Sequence, residues 1–224
     1  LDNGQSIITH NQLYGKWTVN LIKTIPKTGR ALRIQMNTKA YSVRLWSATD
    51  ITLYDTKDEN LHPYIKKLGP DVLMQTTTKE LILNRLIHKR FRNRMLAGLL
   101  LNQGFIAGLG NYLRTEILHE SCLHPDLRPK DLSQREIGKL ARTILEITRL
   151  ALKTAGVTNK PSRVKRLKRV GATRSRYRFS AFAREGQACY RCEEKIQRLS
   201  VNSRRLYLCR ICQPGRSRNA GGHS

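Results

Sequence analysis

Two cysteine pairs near the end of the chain constrain its fold more than any other feature. Cys189 and Cys192 are followed, after 16 intervening residues, by Cys209 and Cys212. This spacing is typical of a four-cysteine zinc site, because each short pair directs two thiolates to one point. Since four protein ligands leave no open coordination position, we expect one structural Zn²⁺ held by a hairpin ribbon. The fifth cysteine, Cys122, does not belong to the pattern, and we expect it to lie away from the metal.

Charge is the second constraint, and it indicates a polyanionic partner. The 224 residues include 42 lysines and arginines against 16 acidic residues, a formal net charge of +26. From residue 156 onward, 18 basic residues face three glutamates. Such an excess is typical of nucleic-acid-binding proteins. The densest basic stretch, residues 163–178, contains no acidic residue, and we expect it to be a mobile linker until a polyanion binds.

The sequence argues against several other classes of protein. The longest apolar run, Met95–Leu101, is far shorter than the roughly 20 residues that a membrane helix needs. The first residues lack the basic start and apolar core of a signal peptide. A metal-type cysteine pattern favours a reducing compartment over a secreted disulfide scaffold. No Walker motif, serine–histidine–aspartate arrangement or paired carboxylate site is recognisable.

The hydrophobic period changes near residue 60, which predicts two kinds of structure. Before that point lie four β-rich runs, of which Tyr41–Trp46 is the clearest, with Tyr41, Val43 and Leu45 expected on one buried face. Four short strands make a thin core, so we expect an incomplete antiparallel sheet structure. After that point we expect helices over residues 61–68, 78–88, 93–106 and 111–121, the second of them capped by Thr77 or Thr78. A further helix should run from a capping box at Ser133 to Gly156.

The later part of the chain is expected to be mostly β-structure. Tyr177–Phe182 alternates like a strand, and the zinc ribbon should pair Leu199–Val201 with Leu206–Leu208 around a turn at Ser203–Arg205.

Three segments could contact nucleic acid, and each has a plainer interpretation. Ala107–Asn111, which opens a helix, could bind an anion or could allow tight helix packing. Leu13 and Tyr14, on a loop before a β-run, could insert into a base stack or could belong to the core. Arg204 and Arg205 could contact phosphate or could be solvated surface residues.

In their order along the chain, several segments together resemble the Fpg/Nei family of DNA glycosylases, most closely its endonuclease VIII branch. The matching segments are His10–Gly15, Leu68–Leu73, Phe91–Arg94, Ala97–Leu101, Ala107–Arg114 and the zinc ribbon.

The resemblance implies a multidomain α+β fold with three parts. These are an incomplete antiparallel β-sandwich, a helix–two-turn–helix helical domain and a four-cysteine zinc-ribbon finger. We expect the C-terminal part of the sandwich domain at 1–58, the helix–two-turn–helix domain at 59–158, a basic linker and strand at 159–183, the finger at 184–213 and a disordered tail at 214–224.

The resemblance also implies a function in base excision repair. The family excises oxidised pyrimidines from damaged double-stranded DNA and cleaves the abasic strand, so it acts as both an N-glycosyl hydrolase and a lyase. We therefore expect a monomeric enzyme of the bacterial cytoplasm and nucleoid that does not bind membranes.

The resemblance assigns roles to individual residues. It places Gln12, Leu13 and Tyr14 at the void left by the flipped base. It places Asn111 at the phosphate contact of the helix–two-turn–helix motif, and Arg204 on the finger turn, near phosphate and the final elimination step.

Four further positions match the family or depart from it. Lys67 stands where close relatives carry a DNA-contacting arginine, so the charge is kept but the planar fork is lost. Asp71 and Glu116 match acidic positions that support the active site. Asn102 replaces an acidic residue of the endonuclease VIII branch.

The family nucleophile is an amino-terminal proline followed by a glutamate, whereas this sequence begins with Leu1 in what should be a mid-domain strand. Without that amine there is no covalent route through an iminium, so we expect the chain as written to be inactive. Two classes of function stay open: part of a bifunctional glycosylase and lyase, or a catalytically inactive, zinc-dependent fragment that binds damaged DNA. A third is a translation-associated zinc-ribbon protein.

Overall fold

The computed structural model describes residues 1–11 and 14–215. The chain divides into two compact units, one from Leu1 to Lys66 and one from Lys67 onward. Of the tail expected at 214–224, residues 216–224 lie outside the described residues. Within the described part of the chain, no helix is long and apolar enough to cross a membrane.

The first unit consists of two small antiparallel sheets. One pairs β1 (Gln5–His10) with β5 (Asp50–Asp55), a strand that was not among the four predicted runs. The other has the order β2 (Lys16–Leu21), β4 (Tyr41–Trp46), β3 (Leu32–Asn37). Two short 3₁₀ helices, Thr56–Leu61 and Ile65–Lys67, follow where the sequence predicted a helix over 61–68.

The predicted buried face of β4 is wrong in part. Leu45 is fully buried as expected, but Tyr41 is 51% exposed and Arg44, on the opposite face, is buried. Arg44 can be buried because its guanidinium donates to Gln35 Oε1 at 2.8 Å and to the Thr24 carbonyl at 2.9 Å. Both faces of β4 therefore carry buried residues. The alternation of apolar residues did not predict the burial of Arg44, because that burial depends on its hydrogen bonds.

The core of the first unit is thin, as the sequence predicted. Large apolar side chains on its strands remain exposed, namely Val19, Leu21, Leu32, Tyr41 and Leu53. The fold class of an incomplete antiparallel sandwich followed by a helical domain and a cysteine finger is confirmed.

The second unit contains six α-helices, a 3₁₀ helix at Pro129–Asp131 and one hairpin within the described residues. The α-helices and strands are α1 (Lys79–Ile87), α2 (Leu96–Leu99), α3 (Asn111–Ser121), α4 (Gln134–Lys153), α5 (Pro161–Arg169), α6 (Arg174–Tyr177), β6 (Gln197–Val201) and β7 (Arg204–Leu208). Of the two threonines predicted to cap α1, Thr78 is the cap, since its hydroxyl accepts from the Leu81 amide at 3.2 Å. The capping box of Ser133 and Glu136 also forms and starts α4.

The helix predicted over residues 93–106 is wrong except for the single turn of α2. The chain there is drawn into turns by contacts with more distant segments. The Leu96 amide donates to the Leu127 carbonyl at 2.8 Å, and Arg85 donates to the carbonyls of Gly104 and Phe105 at 2.7 Å. These tertiary hydrogen bonds replace the intrahelical ones that the apolar periodicity suggested.

The basic stretch after residue 159 also differs from its prediction. It forms α5 and α6 instead of a linker, and Tyr177–Phe182 is not a strand. Pro161 suits the first position of α5. The basic residues in the last turn of α5 stabilise the helix, because they lie at the negative end of its dipole. The amides of residues 180–182 bond to a carboxylate instead of a neighbouring strand, as described below.

One hydrophobic core joins the helices of the second unit to its hairpin. Leu206 and Leu208 of β7 are buried in the same cluster as the apolar faces of α1, α3 and α4. A chain of ring contacts continues this packing, with centroid separations of 5.5, 5.1 and 5.2 Å along Tyr112, Phe179, Phe182 and Tyr207. The cysteine ribbon is therefore fixed on α3.

Candidate nucleic-acid interface and zinc centre

A glycine turn shapes the start of α3. Gly108 has φ +92°, and its amide donates to Gln103 Oε1 at 3.0 Å, while Gln103 Nε2 donates to the Leu109 carbonyl at 2.9 Å. Gly110 is the N-cap and supplies no side-chain acceptor. The first amides of α3 are thus left for an anion, which the helix dipole also favours.

Asp71 lies beside this turn. Its backbone forms a bridge with Ala107, and its carboxylate accepts from the Leu73 amide at 2.8 Å. The exposed Asp71 therefore stabilises a turn that packs against the glycine segment.

A buried arginine connects the start of α3 with the ribbon. Arg114 is fully buried and donates to Asn111 Oδ1 at 2.7 Å, to the Arg205 carbonyl at 3.2 Å and to the Ala97 carbonyl at 3.2 Å. Asn111 Nδ2 donates to the same Arg205 carbonyl at 2.9 Å. Desolvation by burial, together with the nearby Arg204 charge, lowers the pKa of Arg114 to about 10. Arg114 is therefore still charged at neutral pH, and it joins Asn111 to the hairpin.

Arg204 lies at the end of the hairpin that faces this junction. The turn itself is Asn202–Ser203, with φ +52° and +59°. Arg204 was predicted to lie in the turn, but it is the first residue of β7. A Cβ added to Gly98 would lie 3.4 Å from Asn202 Nδ2, an ordinary contact distance, so the turn lies next to α2. The structure thus brings Asn111 and the exposed Arg204 into one region.

Glu116 is the second acidic residue predicted to support the active site. In the structure its carboxylate accepts hydrogen bonds from backbone amides. Its side chain is 1% exposed, and its two oxygens accept from the amides of Ser180, Ala181 and Phe182 at 2.7, 2.8 and 2.9 Å. The Thr158 hydroxyl donates to it at 2.6 Å. Glu116 therefore fixes the segment that leads into the ribbon, and it is a positioning residue.

The four predicted zinc ligands converge. The Sγ atoms of Cys189, Cys192, Cys209 and Cys212 all lie within 4.8 Å of one another, and three of the pairs are in close contact at 3.3, 3.5 and 3.8 Å. Tetrahedral Zn²⁺ with bonds of about 2.3 Å needs sulfurs roughly 3.8 Å apart, so the donor set fits one zinc ion. Four thiolates would fill its coordination, which gives the ion a structural role.

Residues around the cysteines support this interpretation. His119 of α3 is buried, with Nε2 3.5 Å from Cys189 Sγ. Burial alone would raise the pKa of the Cys189 thiol, but hydrogen bonds from His119 and from the amides of Arg191 and Cys192 lower it to about 7. Burial raises the pKa of the Cys209 and Cys212 thiols, so these two must lose their protons when a metal binds.

Cys122 is outside the cluster, as expected, but it is only half-buried. It caps α3 with φ +61°, and Arg191 Nη1 donates to its sulfur at 2.7 Å. Arg191 also pairs with Glu120, so it joins the end of α3 to the first cysteine pair.

The remaining predicted site residues are not brought to this region by any described contact. Gln12 and Leu13 lie outside the described residues, and Tyr14 is 67% exposed in a turn of the first unit. Lys67 is exposed at the start of the second unit. Asn102 accepts from the Gly104 amide at 2.9 Å, a local turn contact that its amide side chain provides.

The sequence reasoning missed Arg114, Gln103 and His119. Arg114 follows Asn111 by one helical turn, so helical spacing could have placed the two side chains together. The bonds of Gln103 and His119 depend on the tertiary fold, and no sequence pattern signals them.

Comparison with known proteins gives consistent results. A family model described as the formamidopyrimidine-DNA glycosylase H2TH domain matches residues 68–162. Endonuclease 8 of Salmonella arizonae is 42% identical over 211 residues, which is 94% of this chain and 77% of that protein. Endonuclease 8 of Escherichia coli O17:K52:H18 is 41% identical with the same coverage.

Solved structures share the fold at lower identity. Lactococcus lactis Fpg, bound non-covalently to DNA containing an AP site, has a TM-score of 0.76 at 21% identity, covering 95% of this chain and 76% of that chain. The same enzyme in a complex with DNA containing an oxidised pyrimidine has a TM-score of 0.74 at 22% identity, covering 94% and 75%.

The cysteine geometry predicts one tightly bound zinc ion per chain. Cys209→Ser should lose the metal, because three thiolates and a hydroxyl bind Zn²⁺ poorly. Cys122→Ser is the matched control and should retain one zinc. Elemental analysis of the purified variants checks both results. Full zinc content in Cys209→Ser, or its loss in Cys122→Ser, would show that the metal is bound elsewhere.

Proposed function

This chain belongs to the Fpg/Nei family of DNA glycosylases and AP lyases, which act on damaged DNA in base excision repair, and from that membership we propose that it acts on oxidised pyrimidines in duplex DNA, in the bacterial cytoplasm. The resemblance to the endonuclease VIII branch supports this substrate class, and a structural relative has been crystallised both with DNA that contains an oxidised pyrimidine and with DNA that contains Fapy-dG. Similarity over 94% of the chain leaves no support for a translation-associated zinc-ribbon protein.

The observation that carries the proposal is the junction between α3 and the ribbon. Asn111, at the start of α3, and the Arg205 carbonyl, next to Arg204, are both bonded to the buried Arg114. Two groups suited to phosphate, a helix N-terminus and an exposed arginine, are therefore held together. Such a pair can bind the backbone on either side of one nucleotide.

We assign the other residues as follows. Tyr14, with Gln12 and Leu13, fills the space left by a flipped base, for which the exposed ring of Tyr14 is suited. Lys67 contacts a DNA phosphate as a point charge. The assembly works as a monomer.

Asp71 and Glu116 act through the chain around them and do not touch the reacting atoms. Asp71 stabilises a turn beside the glycine segment, and Glu116 fixes residues 180–182. Zinc, when bound, supplies the rigidity of the ribbon and no reaction step.

Two functions remain, a bifunctional glycosylase and lyase or an inactive fragment that binds damaged DNA. They differ in whether a nucleophile is present. The family resemblance assigns it to an amino-terminal proline followed by a glutamate, and no Pro-Glu pair occurs in the 224 residues. We propose that these 224 residues alone bind damaged DNA without reacting. In an enzyme of this family, a segment with the Pro-Glu start would supply the secondary amine.

Arg204→Ala should weaken binding to a duplex that contains an abasic site. A charge-assisted hydrogen bond to phosphate is worth about 1.5–3 kcal/mol, so Kd should rise roughly 10- to 150-fold. Arg198→Ala is the matched control, because Arg198 lies on the same hairpin and pairs with Glu185 at 3.3 Å. Fluorescence anisotropy measures both, and equal affinities of the Arg204→Ala and parent proteins would remove Arg204 from the interface.

Borohydride trapping separates enzyme from binding fragment. The polypeptide of 224 residues should give no covalent adduct with an oxidised-pyrimidine duplex, since positioning of the amine accounts for about 7–11 kcal/mol of the barrier. A polypeptide extended by the segment with a Pro-Glu start should be trapped and should cleave the strand. Trapping of the short polypeptide at the rate of the extended one would contradict the assignment and would place the amine among these residues.

A further inference from the structure

We propose that α5 and α6 form a second phosphate-binding surface, which contacts the backbone of duplex DNA whether or not a lesion is present. We call residues 161–177, which contain both helices, the basic hairpin. The inference rests on duplex DNA as the partner in the proposed function, but it requires no catalysis. The surface includes neither the start of α3 nor Arg204.

Uncompensated charge is the first argument. Residues 160–184 contain ten lysines and arginines and no acidic residue. Lys165, Arg166 and Arg169 on α5 are exposed, and none is in an ion pair among the described residues. Because like charges three and four positions apart repel on a helix, this face is stabilised when a polyanion covers it.

A fixed position is the second argument. In the sequence, Tyr190 stands between the two cysteines of the first pair. Arg163 and Arg184 both lie over its ring, with their Cζ atoms 4.5 and 3.5 Å from the ring centroid. The Tyr190 hydroxyl donates to the Arg176 carbonyl at 3.2 Å. The basic hairpin is thereby attached to the first cysteine pair, so its cations are presented in a defined arrangement.

The space between the hairpin and the cysteines has the chemistry of a phosphate site. It is a cavity of about 1030 Å³, whose lining includes Arg166, Arg176 and the hydroxyls of Thr173 and Ser175. Glu193 is the acidic residue in that lining. Guanidinium and hydroxyl groups are donors that phosphate oxygens accept.

The apolar residues of α5 argue against a membrane as the partner. Val164 and Leu167 are half-buried, and Val164 lines a cavity together with Leu150 and Val157. A helix that lies in a membrane interface needs a free apolar face. Only Val170, at the end of α5, is a strongly exposed large apolar residue among residues 161–177, all of which are described.

The test compares two variants that each lose three charges. The hairpin variant is Lys165→Gln, Arg166→Gln and Arg169→Gln, which keeps good helix formers on α5. The control variant is Arg135→Gln, Arg142→Gln and Arg149→Gln, three exposed positions on one stripe of α4. Anisotropy with an undamaged duplex gives the affinity of each variant at several salt concentrations, and circular dichroism and zinc content check that each is folded.

The hairpin variant should bind at least about tenfold more weakly at low salt. Its slope of log affinity against log salt should be shallower by about 1 for each phosphate that it no longer neutralises. The control variant should change by less than about twofold. The charge-preserving variant Lys165→Arg, Arg166→Lys and Arg169→Lys should keep both the affinity and the slope.

Two results would overturn the proposal. One is equal slopes for the hairpin and control variants. The other is a hairpin variant that loses binding to phosphatidylserine vesicles while keeping its affinity for DNA. Failure of the proposed function is recognised separately, because the parent protein would then bind abasic and undamaged duplexes equally while the slope difference persisted.

Discussion

The carboxylate of Glu116 is the interaction on which the second unit depends. It is buried and accepts four hydrogen bonds, three of them from consecutive backbone amides. Those amides belong to the segment that leads from the helices to the cysteine ribbon, and without Glu116 they would be unsatisfied donors in a buried region. A buried carboxylate is costly unless its lone pairs are fully used, and here they are. The path of the chain after α6 therefore follows from one side chain on α3.

Arg114 acts on the opposite end of the same helix. It is buried without a carboxylate partner, and its Nε finds no acceptor among the described residues. A buried charge without a full set of partners lowers the stability of the folded protein. Such unfavourable groups are found mostly at functional sites. In return Arg114 joins Asn111 to the hairpin that carries Arg204. The helix start and the ribbon are thereby held together in the region that we propose binds phosphate, and the four cysteines of the ribbon are placed so that they could hold one zinc ion.

Local patterns were readable from the sequence, and tertiary ones were not. The cysteine spacing, the cap at Thr78 and the capping box at Ser133 each involve residues a few positions apart, so their geometry follows from the chain itself. The strand expected at Tyr177–Phe182 failed because Glu116, more than 60 positions earlier, takes its amides. The helix expected over 93–106 failed for a similar reason, since Arg85 binds its carbonyls.

The basic stretch at residues 163–178 was also predicted wrongly, because its structure depends on a tertiary contact. Repulsion predicted a mobile linker, but Arg163 and Arg184 stack on Tyr190 and give α5 a place on the ribbon. In the site, the sequence indicated Asn111, Arg204 and the four cysteines because each lies in a motif. It did not indicate His119, whose partner Cys189 is 70 positions away in the chain. Helical spacing could have paired Arg114 with Asn111, but its bond to the hairpin carbonyl 91 positions away has no sequence signal.

Native-state hydrogen exchange of the zinc-loaded protein tests the central claim most directly. If Glu116 fixes the segment that leads into the ribbon, the amides of Ser180, Ala181 and Phe182 should exchange slowly, near the rate set by unfolding of the whole unit. In Glu116→Gln, which keeps the shape but loses acceptors, their protection should fall by about 1–3 kcal/mol while the zinc is retained. Fast exchange of these amides in the parent protein, or unchanged protection in the variant, would contradict the account.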